Sequence, residues 1–141
     1  MKHSIWILGL ALVSLSSKCN KDDRCESDSQ NFFTVYNASP RRISFEIYWN
    51  YPDTAIGDYN PVSWGGIAPG QSRTRGAGRN TCWEAVLTDL PDQQEWLYIF
   101  DQDSLEQIPW QTIRMTNRGL LERRALSIDY LKQVNFKISY P

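Results

Sequence analysis

The stretch RRISFEIYWN (41–50) alternates without a break. Ile43, Phe45, Ile47 and Trp49 fall on one side of an extended chain, and Ser44, Glu46, Tyr48 and Asn50 on the other. A period of two with one apolar and one polar side predicts a half-buried strand. Upstream, NFFTVYNAS (31–39) carries the Phe, Val, Tyr and Thr of a strand, and SPR turns the chain, so the two segments are expected to pair as a hairpin.

Downstream, YPDTAIGDYNPVSWGG (51–66) has no periodicity and reads as a long loop, a kind of segment that is either functional or mobile. Pro69-Gly70 centres a turn, and a short strand follows. The period then changes: Trp83, Val86, Leu87 and Leu90 share one face of a helix that Asn80 or Thr81 can cap and Pro91 ends. EWLYIFD (95–101) is apolar on both sides, the mark of a central strand. Residues 101–119 read as a turn and a helix, with Pro109 at its first position and Gly119 past its end. LLERRALS (120–127) is a strand, Ser127 caps a short helix, and VNFKISY (134–140) closes the chain as a strand. The sum is an α+β fold: mainly an antiparallel β-sheet or small β-sandwich with two or three short helices packed at one side.

The chain has 141 residues and a formal net charge of −1. Such a balance disfavours nucleic acid, whose phosphates need clustered Lys and Arg. Its single histidine, His3, lies in the leader, so the rest of the chain can build neither a Ser-His nor a Cys-His catalytic pair, nor a histidine metal site. No cofactor is implied.

IWILGLALVSL (5–15) follows Lys2 and His3. It is shorter than the roughly 20 apolar residues a span requires, and suits the core of a signal peptide. Residues 1–18 are therefore expected to be removed. Residues 19–31, headed by Cys19, are expected to form a flexible polar tether, and 32–141 a single globular domain. Cys19 sits just past the apolar run, and CNKDD (19–23) sets an acidic pair behind it. This segment resembles Bacteroidetes lipoproteins, in which such a cluster directs the protein to the cell surface. The resemblance implies acylation at Cys19 and an outer-membrane, lipid-anchored, surface-exposed protein. Ser16 and Lys18 depart from the usual cleavage box, and cleavage after Ser16 would instead release a soluble secreted or periplasmic protein.

The remaining layout also resembles a family of small Bacteroidetes surface lipoproteins. The shared traits are Tyr51-Pro52-Asp53-Thr54, Ile99 to Leu105, Trp110, Leu126-Ser127 to Leu131, and Ile138 to Pro141, with Tyr130 standing where Asp is usual. This family brings no assigned activity, so what it implies is fold and location.

With Cys19 acylated, Cys25 and Cys82 are an even pair in an oxidising compartment and predict a disulfide, the other reading being that Cys82 is a buried free thiol. Two distant cysteines do not supply a metal site. Asp101, Asp103 and Glu106 have spaced oxygens for Ca²⁺ but lack the turn glycine of a calcium loop, and capping by Asp103 or Ser104 accounts for them. Aromatics gather at the long loop: Trp49, Tyr51, Tyr59 and Trp64, with Asp53 among them. Exposed, they could stack on sugar rings; otherwise Trp49 extends its strand's core face and Trp64 plugs the loop onto the sheet. Asp53-Thr54-Ala55 and Asp103-Ser104-Leu105 resemble the Bacteroidetes O-glycosylation motif, which would make Thr54 and Ser104 acceptors. The expectation is a non-catalytic binding domain held at the membrane by an N-terminal lipid, with an envelope protein or glycan as partner. An accessory subunit of an outer-membrane complex is the alternative, followed by a small carboxylate enzyme.

Overall fold

The computed structural model describes residues 24–25, 28–48 and 55–141. Cys19, Trp49, Tyr51, Asp53 and Thr54 lie outside the described residues.

Among the described residues six strands form two three-stranded sheets, and four short helices accompany them, giving the α+β class. The strands are β1 (Phe32–Asn37), β2 (Ile43–Tyr48), β3 (Ser72–Gly76), β4 (Gln94–Asp101), β5 (Leu120–Ser127) and β6 (Lys137–Tyr140). The helices are α1 (Trp83–Thr88), α2 (Gln102–Gln107), α3 (Trp110–Thr116) and α4 (Ile128–Gln133). The first sheet runs β3-β1-β6, with β1 antiparallel to β3 and parallel to β6. The second runs β2-β4-β5 and is antiparallel throughout.

The expected β1–β2 hairpin does not form, because the two strands belong to different sheets. What replaces it is an arch built on Asn37. Its buried side-chain amide donates to the carbonyls of Arg41 and Ile67, both at 2.8 Å, and its carbonyl accepts from Ser39 N and Ser39 Oγ. One side chain thereby satisfies the polar groups of a chain crossing between layers, where an unpaired backbone group would be costly. Ile43 and Ile67 add a two-way backbone bridge beside it.

The inner faces of both sheets meet in one core. Phe33 and Val35 of β1 and Ile138 of β6 face Ile43, Phe45 and Ile47 of β2, Leu97 and Ile99 of β4 and Leu126 of β5. Trp83 and Leu87 of α1 and Leu131 of α4 complete it, and the Phe33 ring lies 5.1 Å from that of Trp83. Each such side chain contributes about 1.5–3 kcal/mol by burial.

The half-buried reading of β2 is corrected: all six of its residues are buried. Its second face, with Tyr48, lies under Ile56, Leu105 and Ile113, in a second core shared with Tyr98 and Phe100 of β4. The second sheet is thus a middle layer, with α2, α3 and the 55–64 loop as its cover. Alternation identifies the strand but not what covers its polar side, since Ser44 and Glu46 can be buried once they find partners.

Several local expectations also shift. Residue 82, not 80 or 81, precedes α1, and Asn80 sits at φ +60° in the turn before it. Residues 134–136 are not strand: Asn135 and Phe136 have positive φ, and Phe136 N donates to Leu131 O at 2.7 Å, closing α4 before β6 begins. The docked chain also starts earlier than residue 32, since Arg24 and Cys25 are already fastened to the body at Asp89 and Cys82.

Candidate functional site

Tyr59 and Trp64 are 49% and 52% exposed, so Trp64 does not plug the loop. Their rings lie 6.3 Å apart at 49°, and Tyr59 Oη is within 3.0 Å of Ser63 Oγ. The local sequence sets this up. Asn60 has extended backbone, and its Oδ1 accepts from Val62 N at 3.0 Å; Pro61 then starts a single 3-10 turn that ends at Trp64.

The loop is held from beneath by side chains of the scaffold. Arg114 Nε donates to Ile56 O at 3.1 Å, Trp110 Nε1 to Asp58 O at 2.9 Å, and Tyr48 Oη to Tyr59 O at 2.7 Å. Arg114 also pairs with the Asp58 carboxylate. Burial, reinforced by the Glu46 carboxylate, pushes the Tyr48 phenol up, so it remains a donor. Three loop carbonyls are thereby fixed, and the two rings are presented on a rigid support rather than a free loop.

Beside these rings lies a pocket of about 270 Å³ lined by Glu46, Ile47, Tyr48, Tyr59, Trp64 and Arg75. Glu46 is only 4% exposed. Its Oε1 accepts from Ile47 N at 3.0 Å and lies 3.1 Å from Arg75 Nη2. The Arg75 guanidinium also lies over Trp64, 5.9 Å from the ring centroid, a cation–π distance. Arg75 is fixed from behind by Trp83 Nε1, which donates to its carbonyl at 3.4 Å. Sequence reasoning missed Glu46 and Arg75. Glu46 counted as a solvent-side residue of its strand, and its partner is on the other sheet.

The other candidates are distributed elsewhere. Cys25 and Cys82 are joined by a disulfide, with Cα atoms 5.6 Å apart, and both are buried. Just before it, Arg24 binds Asp89 through both guanidinium ends, at 2.6 and 3.1 Å. The acidic trio does not converge: Asp101 caps α2, its Oδ2 accepting from Ser104 N and Ser104 Oγ, while Asp103 and Glu106 both bind Arg42, at 2.5 and 2.9 Å. The cap is therefore Asp101, because its extended backbone aims the carboxylate at the first turn. Ser104 is part-buried, and its hydroxyl is committed to that cap at 2.6 Å. Among the described residues no group of three His, Cys, Asp or Glu side chains is arranged to hold a metal, and no helix is long and apolar enough to cross a membrane.

No protein-family model matches the chain, and neither the curated proteins nor the solved structures compared with it yield a match. The functional reading therefore rests on the site itself.

Proposed function

We propose that this chain is a surface lipoprotein of the Bacteroidetes type, anchored to the outer membrane through Cys19, whose domain is a non-catalytic binding module for a protein or glycan of the cell envelope. The observation that carries the binding role is the pocket beside Tyr59 and Trp64. Two large rings stand half in water, held from below, next to a nearly buried ion pair. An exposed aromatic pair with a few fixed polar groups is the composition of a recognition site. Support for the anchor is the sequence around Cys19.

The reading is testable at the anchor and at the pocket. Palmitate labelling should mark the wild type and not Cys19→Ala, and surface protease should remove the labelled protein from intact cells. Purified domain should bind cell envelopes, and Trp64→Ala should weaken that binding about tenfold. A processed chain starting at Ser17 without added lipid mass would replace the anchored protein with a soluble secreted or periplasmic one.

A second reading, an accessory subunit of an outer-membrane complex, is favoured by a different surface. Phe32 and Tyr36 of β1 are 53% and 44% exposed on the outer face of the first sheet. Copurification with an envelope complex that survives Trp64→Ala but not Phe32→Ser/Tyr36→Ser would select it.

A further inference from the structure

We infer that the Trp64 pocket takes a neutral sugar ring, its apolar face against the indole and its hydroxyls bridged by Glu46 and Arg75; this rests on the reading of that pocket as the binding site. Size is the first reason. At about 270 Å³ the pocket falls just below the range for drug-sized ligands, so it suits one ring or the terminal unit of a longer chain. Its wall is the second. The indole and phenol offer flat apolar surface with polar edges, which matches the C–H face and hydroxyl rim of a pyranose.

The charges decide the class. Glu46 and Arg75 cancel at 3.1 Å. A quaternary ammonium or other cation would have to displace Arg75, which already occupies both Trp64 and Glu46. An anion would face Glu46, and that carboxylate cannot swing away without releasing Ile47 N. A neutral polyol leaves the pair intact. Both contacts of Glu46 use Oε1, so Oε2 is left to accept from a hydroxyl, while Arg75 Nε and Nη1, which have no partner among the described residues, are left to donate to one. The same Ile47 N contact disfavours a peptide strand. Ile47 lies on the open edge of β2, where an added strand would need that N–H, and Glu46 already holds it.

The test titrates the mature protein with methyl glycosides of neutral hexoses and N-acetylhexosamines, the methyl glycoside of a uronic acid with its carboxylate free, and choline, read by tryptophan fluorescence and the indole N–H resonance. Saturable binding of a neutral glycoside is expected, with affinity lowered about tenfold in Trp64→Ala and by a similar factor in Glu46→Gln, while both variants stay folded at the titration temperature, with cooperative melting transitions well above it. Preference for the uronate or choline overturns the proposal. In parallel, envelopes are treated with periodate, which destroys vicinal diols, or with protease. Trp64-dependent binding lost to periodate but not protease supports the sugar. Trp64-dependent binding lost only to protease overturns the sugar and leaves the binding site standing. Absence of any Trp64-dependent binding, to glycosides or envelopes, sinks both.

Discussion

Glu46 Oε1 and Arg75 Nη2 lie 3.1 Å apart, joining an edge strand of one sheet to an edge strand of the other at the rim of the pocket. The Glu46 side chain is 5% exposed and that of Arg75 33%. Removing the cation strands a nearly buried carboxylate, whereas removing the anion leaves a guanidinium that reaches water. Arg75→Met should therefore cost about 3 kcal/mol. Glu46→Gln, which still accepts from Ile47 N, should cost about 1 kcal/mol. The double variant should resemble Glu46→Gln rather than the sum. Urea denaturation at neutral pH measures all three; equal single-variant costs would contradict the asymmetry.

Glu95 predicts an unusual pH profile. It stands on the inner face of β4 opposite Leu126, fully buried, with no well-formed hydrogen bond to either carboxylate oxygen among the described residues, and the backbone amide of Trp96 offsets the burial only in part. Burial pushes its carboxyl up from 4.5 to about 7. Between those values the folded state holds a proton that the unfolded state has released, so stability is full below 4.5 and declines as pH rises through 7. The loss is roughly 3 kcal/mol at about 1.4 kcal/mol per pH unit. Glu95→Gln should abolish this decline, leaving the variant more stable than wild type at pH 8. Glu106 acts in the opposite sense: hydrogen bonding to Arg42 holds it below its usual value, so its contribution fades as pH falls and is common to both proteins. Urea titrations from pH 4 to 8 on the pair isolate Glu95; parallel profiles would refute the prediction.

These two carboxylates also mark where sequence stopped being informative. The strand at 43–48, the central strand at 95–101 and the Ser127 cap are legible because each follows from residues within one turn or pleat. Glu46 and Glu95 share the polar composition of solvent-facing positions, and only packing from distant segments buries them. The same holds for Asn37. Nothing near it states that its amide will bind Ile67 O, so a five-residue connection reads as a hairpin when it is an arch. Tyr59 and Trp64 were visible as a candidate pair from their clustering, whereas Arg75 enters their site only through the register of β3 against β1.

The Cys25–Cys82 bridge spans a sequence separation of 57 and ties the start of the docked chain to the residue preceding α1. Closing a loop of that length restricts the unfolded chain by roughly 4 kcal/mol in the chain-entropy description. Cys25→Ser/Cys82→Ser should lower stability by that order and free Arg24 from Asp89, so proteolysis near residue 24 should accelerate. Because Trp83, next to Cys82, donates to Arg75 O, the double serine variant should also broaden the Trp64 indole resonance. A variant equally stable and equally protected would show the bridge to be dispensable.

Gly57 does not itself line the pocket, yet it tests the pocket's support through Tyr48, which does. A Cβ there would overlap Tyr48 Cδ1 and lie 2.8 Å from Cε1, too close for any packing. Tyr48 has nowhere to go: it is 5% exposed and meets the Tyr98 ring edge-on at 5.1 Å. Gly57→Ala should thus cost about 1–3 kcal/mol as an overpacked substitution, and displacing Tyr48 Oη from Tyr59 O should release the aromatic pair. Gly65→Ala is the contrast. Its Cβ would meet nothing within 4 Å, and its φ of +67° with ψ of 163° makes the cost one of backbone strain alone, about 1–3 kcal/mol. Similar losses of stability are therefore expected from two different causes, and the Tyr59 ring resonances separate them. Those resonances should shift strongly in Gly57→Ala and little in Gly65→Ala; the reverse order would mean that Tyr48 does not hold the loop.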